Sequence, residues 1–132
     1  MAETINWTLE VQIGGGPKKG ASQMLNVEAC DKLEFTVPGG DNANPGAFTA
    51  AVQPGGAGKV KFLLITSSLY DAKLTYKVDG GADITLDSSQ VFLGGGNIKL
   101  LAATQKQFVF SNKVGLNSPA AVSIWVGRDA AP

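Results

Sequence analysis

The N-terminal segment alternates apolar and polar residues without a break, and this pattern restricts the fold more than any other feature of the sequence. Its apolar residues occupy every second position, at Ile5, Trp7, Leu9, Val11 and Ile13. Asparagine, threonine, glutamate and glutamine fill the positions between them. Because successive side chains of a strand point to opposite faces, a period of two predicts a β-strand with one buried face.

The same alternation returns along the rest of the chain. Alternating or short apolar runs predict further strands at 25–29, 33–37, 47–52, 60–65, 74–78, 84–86, 91–93, 98–100, 108–110 and 122–126. The first two of these runs are interpreted as one long strand with a bend near Cys30 and Asp31. No glycine-free stretch of about eleven residues has the i, i+3, i+4, i+7 spacing of an amphipathic helix.

Turn residues separate these runs. The chain has 17 glycines and six prolines, which favour turns because glycine adopts positive φ and proline fixes φ. Asp79-Gly80-Gly81, between two alternating runs, predicts a β-hairpin. Many short strands separated by turns are typical of an antiparallel sandwich or barrel. We therefore predict a single all-β domain over residues 1–132. It is an antiparallel two-sheet β-sandwich, with a jelly-roll-like topology preferred over an immunoglobulin-like one.

The composition restricts the chemistry that the chain can perform. The sequence has no histidine and one cysteine, Cys30. This excludes Ser-His-Asp triads, Cys-His pairs, histidine-ligated metal sites and an internal disulfide. Cys30 lies beside Asp31 and close to Glu28 in the sequence, and carboxylates disfavour a thiolate. No Ser-x-x-Lys or P-loop pattern supplies another catalytic group. We expect no enzymatic activity, no cofactor and no metal.

Charge and hydropathy restrict the partners and the location. Eleven basic and eleven acidic residues give a formal net charge of zero, so a nucleic-acid partner is not expected. The longest apolar run, 62–65, is much shorter than the ~18 residues of a membrane helix, which predicts no membrane span. The first residues lack the basic and apolar regions of a secretory signal peptide. We expect residence in the cytoplasm, with packaging in a virus particle or export without a signal left open.

One group of residues is a candidate ligand-binding site. Its members are Trp125, Tyr70, Asp41, Asn42 and Asn44. Trp125 has the opposite phase from its apolar neighbours, and an outward tryptophan with a loop tyrosine could stack on a sugar ring. The 41–44 loop offers one carboxylate and two amides. That is a poor cage for calcium, which takes about six or more oxygen ligands, so a turn is the simpler account of this loop.

A second group, Leu63, Ile65 and Trp125, is a candidate subunit interface. The run 60–65 is apolar at both phases, so we expect its strand to carry an apolar face besides the one in the core. Exposed apolar surface of this kind typically marks a subunit interface, and zero net charge opposes association little. Coverage of this face within the monomer, by a loop or by the 38–58 segment, is the alternative.

These observations predict a non-catalytic β-sandwich protein that acts through self-association or as a structural or interaction module. A second copy of the chain is then the expected partner. The alternative is a carbohydrate-binding, lectin-like module whose partner is a glycan or another protein.

Overall fold

The computed structural model of the chain describes residues 3–52, 59–101 and 105–129. These ranges contain ten strands and one short helix. The strands are β1 (Glu3–Gln12), β2 (Lys18–Val27), β3 (Ala29–Val37), β4 (Gly46–Ala51), β5 (Val60–Ser67), β6 (Leu74–Val78), β7 (Ile84–Thr85), β8 (Gln90–Leu93), β9 (Gln107–Asn112) and β10 (Ala120–Arg128), and the helix is α1 (Gly95–Ile98).

Eight of the strands form two four-stranded sheets. The first sheet has the order β3-β10-β5-β8, and the second has the order β4-β9-β6-β7. All neighbouring strands in both sheets are antiparallel. The inner faces of the sheets share one apolar core, because each strand sends every second side chain inward. The predicted all-β, antiparallel sandwich-like fold is confirmed.

Aromatic residues of the second sheet form the centre of the core. Tyr76 and Phe110 are fully buried, and their ring centroids are 5.4 Å apart. The Phe35 ring reaches across from the first sheet to within 5.3 Å of the Phe110 centroid and stacks on Phe48 at 4.5 Å. Large buried rings contribute much of the apolar area of a core, so these contacts hold the two sheets together.

β1 and β2 form a separate two-stranded sheet, which we call the arm (residues 3–27). Their register runs from the pair Glu3 and Val27 at the base to the pair Gln12 and Lys18 near the tip. The tip is a tight turn in which Gly14 has a φ of 58°. At the base, β2 leads into β3 after a single residue, Glu28, whose amide donates to the Arg128 carbonyl at 3.0 Å. The bend in the predicted long strand therefore lies at Glu28, two residues before Cys30.

Two other predictions are corrected by the structure. β2 begins at Lys18, seven residues before the run that predicted it, because pairing with β1 extends a segment whose own pattern is weak. The predicted strand at 98–100 is wrong. Ile98 ends the single-turn helix α1 and is buried, while Leu100 is exposed in the following turn. In the part of the chain that the structure describes, no helix is long and apolar enough to cross a membrane.

Candidate functional site

The outer face of the first sheet carries an apolar row that includes Trp125. Strand register places Leu64 of β5 directly beside Trp125, and Val91 of β8 directly beside Leu64. Trp125 is 41% exposed and Val91 46% exposed, while Leu64 is half-buried. Trp125 points away from the core, as its phase predicts, because its neighbours Ile124 and Val126 are buried. We call Trp125, Leu64 and Val91 the sheet patch.

The sheet patch is bordered by polar groups. Lys32 of β3 pairs with Trp125, and its Nζ lies 4.6 Å from the centroid of the indole ring. A cation at this distance is attracted by the π-electrons of the ring. The next outward row towards the start of β10 contains Glu34, Ser123 and Thr66. The patch is therefore an apolar island that ends in polar side chains on two sides.

The structure corrects the interface prediction for Leu63 and Ile65. Both are fully buried, and they pair with the inward residues Val126 and Ile124. A strand that is apolar at both phases does not reveal from its sequence which phase faces the core. Leu64, which has the opposite phase from Leu63 and Ile65, is the residue that reaches the outer face beside Trp125.

On the other side of the sheet patch, the base of the arm lies against the first sheet. Gly127 of β10 points outward here and pairs with Phe62. A Cβ atom at Gly127 would lie 2.5 Å from Ile5 Cδ1, 3.2 Å from Phe62 Cβ and 3.3 Å from Val27 Cγ1. Only a glycine leaves room for such an approach. Because Gly127 has no side chain, two apolar residues of the arm, Ile5 and Val27, can pack against β10 at this position.

The arm has one apolar and one polar face. The apolar face starts at the base with Ile5 and Val27 and continues through Trp7, Leu9 and Val11, which share a phase. Leu9 is 49% exposed and Val11 47% exposed, and Ile13 at the tip is 86% exposed.

The opposite face of the arm is mostly polar, with Met24, 70% exposed beside Asn6, as an exception. Thr4 donates a hydrogen bond to Asn26 at 3.2 Å, and Lys18 forms an ion pair with Glu10 at 3.5 Å. Asn6, Thr8 and Ser22 also have this phase. The arm is therefore amphipathic, with most of its large apolar side chains on one face.

Cys30 lies beneath the base of the arm, paired with Gly127. Burial raises the pKa of the thiol to about 11, and a hydrogen bond and the charge of Glu3 add to the effect, followed by Asp31. A thiol with this pKa is protonated at neutral pH and is a poor nucleophile. The weak reactivity inferred from the sequence is supported, but the main carboxylate belongs to Glu3 at the start of the arm.

Tyr70 is held inside the chain's own hydrogen-bond network. Its hydroxyl accepts from the Ser67 amide at 3.0 Å and shares a hydrogen bond with the Ser89 hydroxyl at 2.8 Å. The ring packs against the core cluster. Trp125 lies instead on the outer face of the first sheet, so the structure does not bring these two aromatic residues together as one stacking platform.

The 41–44 segment is a closed turn. The Asn44 amide donates to the Asp41 carboxylate at 2.7 Å, and the Asp41 amide donates to the Asn44 carbonyl at 3.0 Å. Asn42 and Asn44 are exposed. The turn leads into β4 of the second sheet and thus lies apart from Trp125. In the described ranges, no cluster of three or more His, Cys, Asp or Glu side chains is arranged to hold a metal ion.

Sequence reasoning missed Gly127, Leu64 and Val91. The Ser123-Trp125-Gly127 phase of the last strand does carry a signal, because a glycine inside an alternating strand indicates a close approach by another segment. Comparison of the chain with protein-family models, with curated proteins and with solved structures finds no match.

Proposed function

We propose that this chain is a non-catalytic β-sandwich protein that acts by self-association. The observation that carries the proposal is the arm, a projecting hairpin whose apolar face is open to solvent beyond its base. The sheet patch supplies a second open apolar surface on the same chain.

The energetics of the arm support a partner. An isolated two-stranded hairpin is at best marginally stable in water, and it needs packing against another element to persist. The two strands of this arm have ten residues each, which is at the upper end of the usual range for strands. The arm gains stability if its apolar face is covered, because burial of apolar area contributes about 25 cal/mol per Å².

The charge distribution is compatible with association of identical copies. The formal net charge is zero and only 17% of the residues are charged. Copies of a neutral chain repel one another little, so modest apolar contacts are enough to hold them together.

The non-catalytic part of the proposal rests on the composition and on the titratable groups. The chain has no histidine, and the raised pKa of Cys30 removes the most nucleophilic side chain from use at neutral pH. Burial also raises the pKa of Tyr76, whose hydroxyl donates to the Gln90 side chain within the core. Both shifts oppose general-base or nucleophilic chemistry.

The test is the solution mass, measured by light scattering over a wide range of protein concentration. We expect an oligomer, and Leu9→Asn on the apolar face of the arm should shift it towards monomer. Thr8→Asn is the matched control, because it introduces the same residue one position away on the polar face. Trp125→Ala should weaken association while leaving the fold intact. A strict monomer at every concentration would contradict the proposal.

The carbohydrate-binding hypothesis has less support. The Asp41 carboxylate and the Tyr70 hydroxyl, two of its proposed ligand contacts, already form hydrogen bonds within the chain. Binding of the wild-type protein to a glycan array, together with loss of that binding in Trp125→Ala, would support the carbohydrate-binding hypothesis.

We also propose a jelly-roll-like topology. Two sheets of four strands match the eight strands of a jelly roll, whereas a constant-type immunoglobulin sandwich has seven. Successive strands from β3 to β10 also change sheet at every connection except that between β6 and β7.

A further inference from the structure

We propose that the apolar face of the arm packs on the sheet patch of a second copy, and that two copies exchange arms reciprocally. The inference rests on the proposed self-association and specifies its partner and its geometry. The partner is another copy of this chain, and each copy both donates an arm and receives one.

The first step is that the same two surfaces already meet within one chain. Ile5 and Val27 belong to the apolar face of the arm, and they lie on the outer face of the first sheet at Gly127 and Phe62. The contact at the base therefore shows that this face of the arm and this face of the sheet are sterically compatible.

The second step is that both surfaces continue beyond this contact without cover. On the sheet, the row next to Gly127 is the sheet patch, with Trp125 and Val91 both substantially exposed. On the arm, the residues next to Ile5 lead to Leu9 and Val11, which are about half exposed.

The third step is that one chain does not join the two uncovered surfaces itself. β2 leads into β3 at the end of the first sheet where β10 finishes, marked by the bond from Glu28 to Arg128. In the single chain, Leu9 and Val11 of the arm and Trp125 and Val91 of the sheet patch all stay about half exposed, so the arm does not cover the patch of its own chain. The arm of a second copy is free to approach from outside.

The fourth step is the available area. Beyond its base the arm has about eight residues per strand, so its face measures roughly 26 Å by 10 Å at a rise of about 3.3 Å per residue and a spacing of about 4.8 Å. Two exchanged arms and two receiving faces of the same extent then bury on the order of 1,000 Å², the lower limit for a specific interface. A receiving face of this extent includes the polar row beside the sheet patch as well as the patch itself.

The fifth step is that the arm carries a basic residue and the sheet patch has an acidic one at its edge, while Lys32, the basic residue at the patch, already lies over the Trp125 ring. Lys19 lies opposite Val11 near the tip of the arm, on its apolar face. Glu34 borders the sheet patch on the outer face of the first sheet. Opposite charges at the rim of an interface set its orientation and favour association of the correct surfaces.

The experiment measures disulfide formation between two chains that each carry a single cysteine. Both chains carry Cys30→Ser. One also carries Leu9→Cys on the arm, and the other carries Val91→Cys in the sheet patch. In the matched control, Thr8→Cys on the polar face replaces Leu9→Cys. We expect the mixture with Leu9→Cys to form the mixed dimer on the order of tenfold faster, because bound thiols have a raised effective concentration.

Three other outcomes would overturn the inference in distinguishable ways. Equal rates with Leu9→Cys and Thr8→Cys, in a protein that is still oligomeric, would remove arm exchange and leave self-association standing. Rapid crosslinking of Leu9→Cys to itself, with slow mixed crosslinking, would show that arms pair with arms. A monomer at all concentrations would remove both this inference and the proposed function.

Discussion

β10 in the sandwich and β1 in the arm alternate apolar and polar residues in the same way, yet their apolar faces have different surroundings. Ile124 and Val126 of β10 are almost completely buried between the two sheets. Leu9 and Val11 of β1 are about half exposed. Alternation in a sequence thus indicates that a face is suited to burial, and the covering surface can belong to the same chain or to another one.

The comparison also separates two kinds of stability. The sandwich has its own core and should fold independently of protein concentration. The arm depends on a contact at Gly127 and on whatever covers its outer part. Anything that binds only the folded form raises apparent stability by mass action, so the arm should make stability depend on concentration.

The largest expected effect tests this separation directly. Phe110→Ala removes a fully buried ring that contacts Phe35 and Tyr76, and should lower the free energy of unfolding by about 3–5 kcal/mol. Leu9→Ala should cost less than about 1 kcal/mol in dilute protein and more as the concentration rises. Urea denaturation at several protein concentrations measures both. A large, concentration-independent loss in Leu9→Ala would place the arm in the core of the monomer.

An intermediate effect is expected at the junction of the two regions. A methyl group at Gly127 would collide with Ile5 and press on Phe62 and Val27, so Gly127→Ala should cost about 1–3 kcal/mol. Gly20→Ala in the arm is the control, because its Cβ meets only the Leu9 carbonyl at an ordinary 3.5 Å. It should change stability by less than about 0.5 kcal/mol.

A double-mutant cycle identifies the residue that Gly127 accommodates. Ile5→Val shortens the side chain that would collide, so its cost should be smaller in the Gly127→Ala background than in the wild type. Residues in contact typically show coupling of about 0.5–3 kcal/mol. Strict additivity of the two substitutions would indicate that the base of the arm does not lie on β10 in solution.

The sequence predicts the strands better than it predicts the surfaces between them. β1 and β10 are recognisable because their alternation is clean, and the hairpin β6–β7 because Asp79-Gly80-Gly81 interrupts two such runs. The early part of β2 is a strand only through pairing with β1, which local pattern does not report.

Errors at the candidate site have a common physical origin. In β5 both phases are apolar, so Leu63 and Leu64 are equivalent until pairing with β10 fixes which one faces outward. Ile98 and Leu100 are two residues apart, which is the spacing of neighbours on one face of a strand. In the structure only Ile98, at the end of the single-turn helix, is buried, and Leu100 is exposed. Gly127 contacts Ile5 and Val27, which precede it by 100 residues or more. A glycine inside an alternating strand signals a close approach there, but the local pattern does not identify the segment that approaches.

The smallest effect concerns the thiol beneath the base of the arm and shows whether that base stays closed. The pKa of Cys30 is raised from 9.0 to about 11, first by burial and then by Glu3. The folded state therefore favours the protonated thiol. This contribution to stability is fully present below pH 9 and is lost as the pH rises towards 11.

Alkylation of Cys30, followed by mass spectrometry from pH 7 to 11, should accordingly be slow at pH 8 and rise at a higher pH than in the urea-unfolded chain. Glu3→Gln removes the charge at the start of β1 and should move the profile to lower pH. Glu10→Gln, farther along the arm, is the matched control and should leave it unchanged. A wild-type profile equal to that of the unfolded chain would mean that the base opens readily. In that case the arm would contact the sandwich only transiently, and the whole chain up to the start of β3 at residue 29 would be less stable than the sandwich.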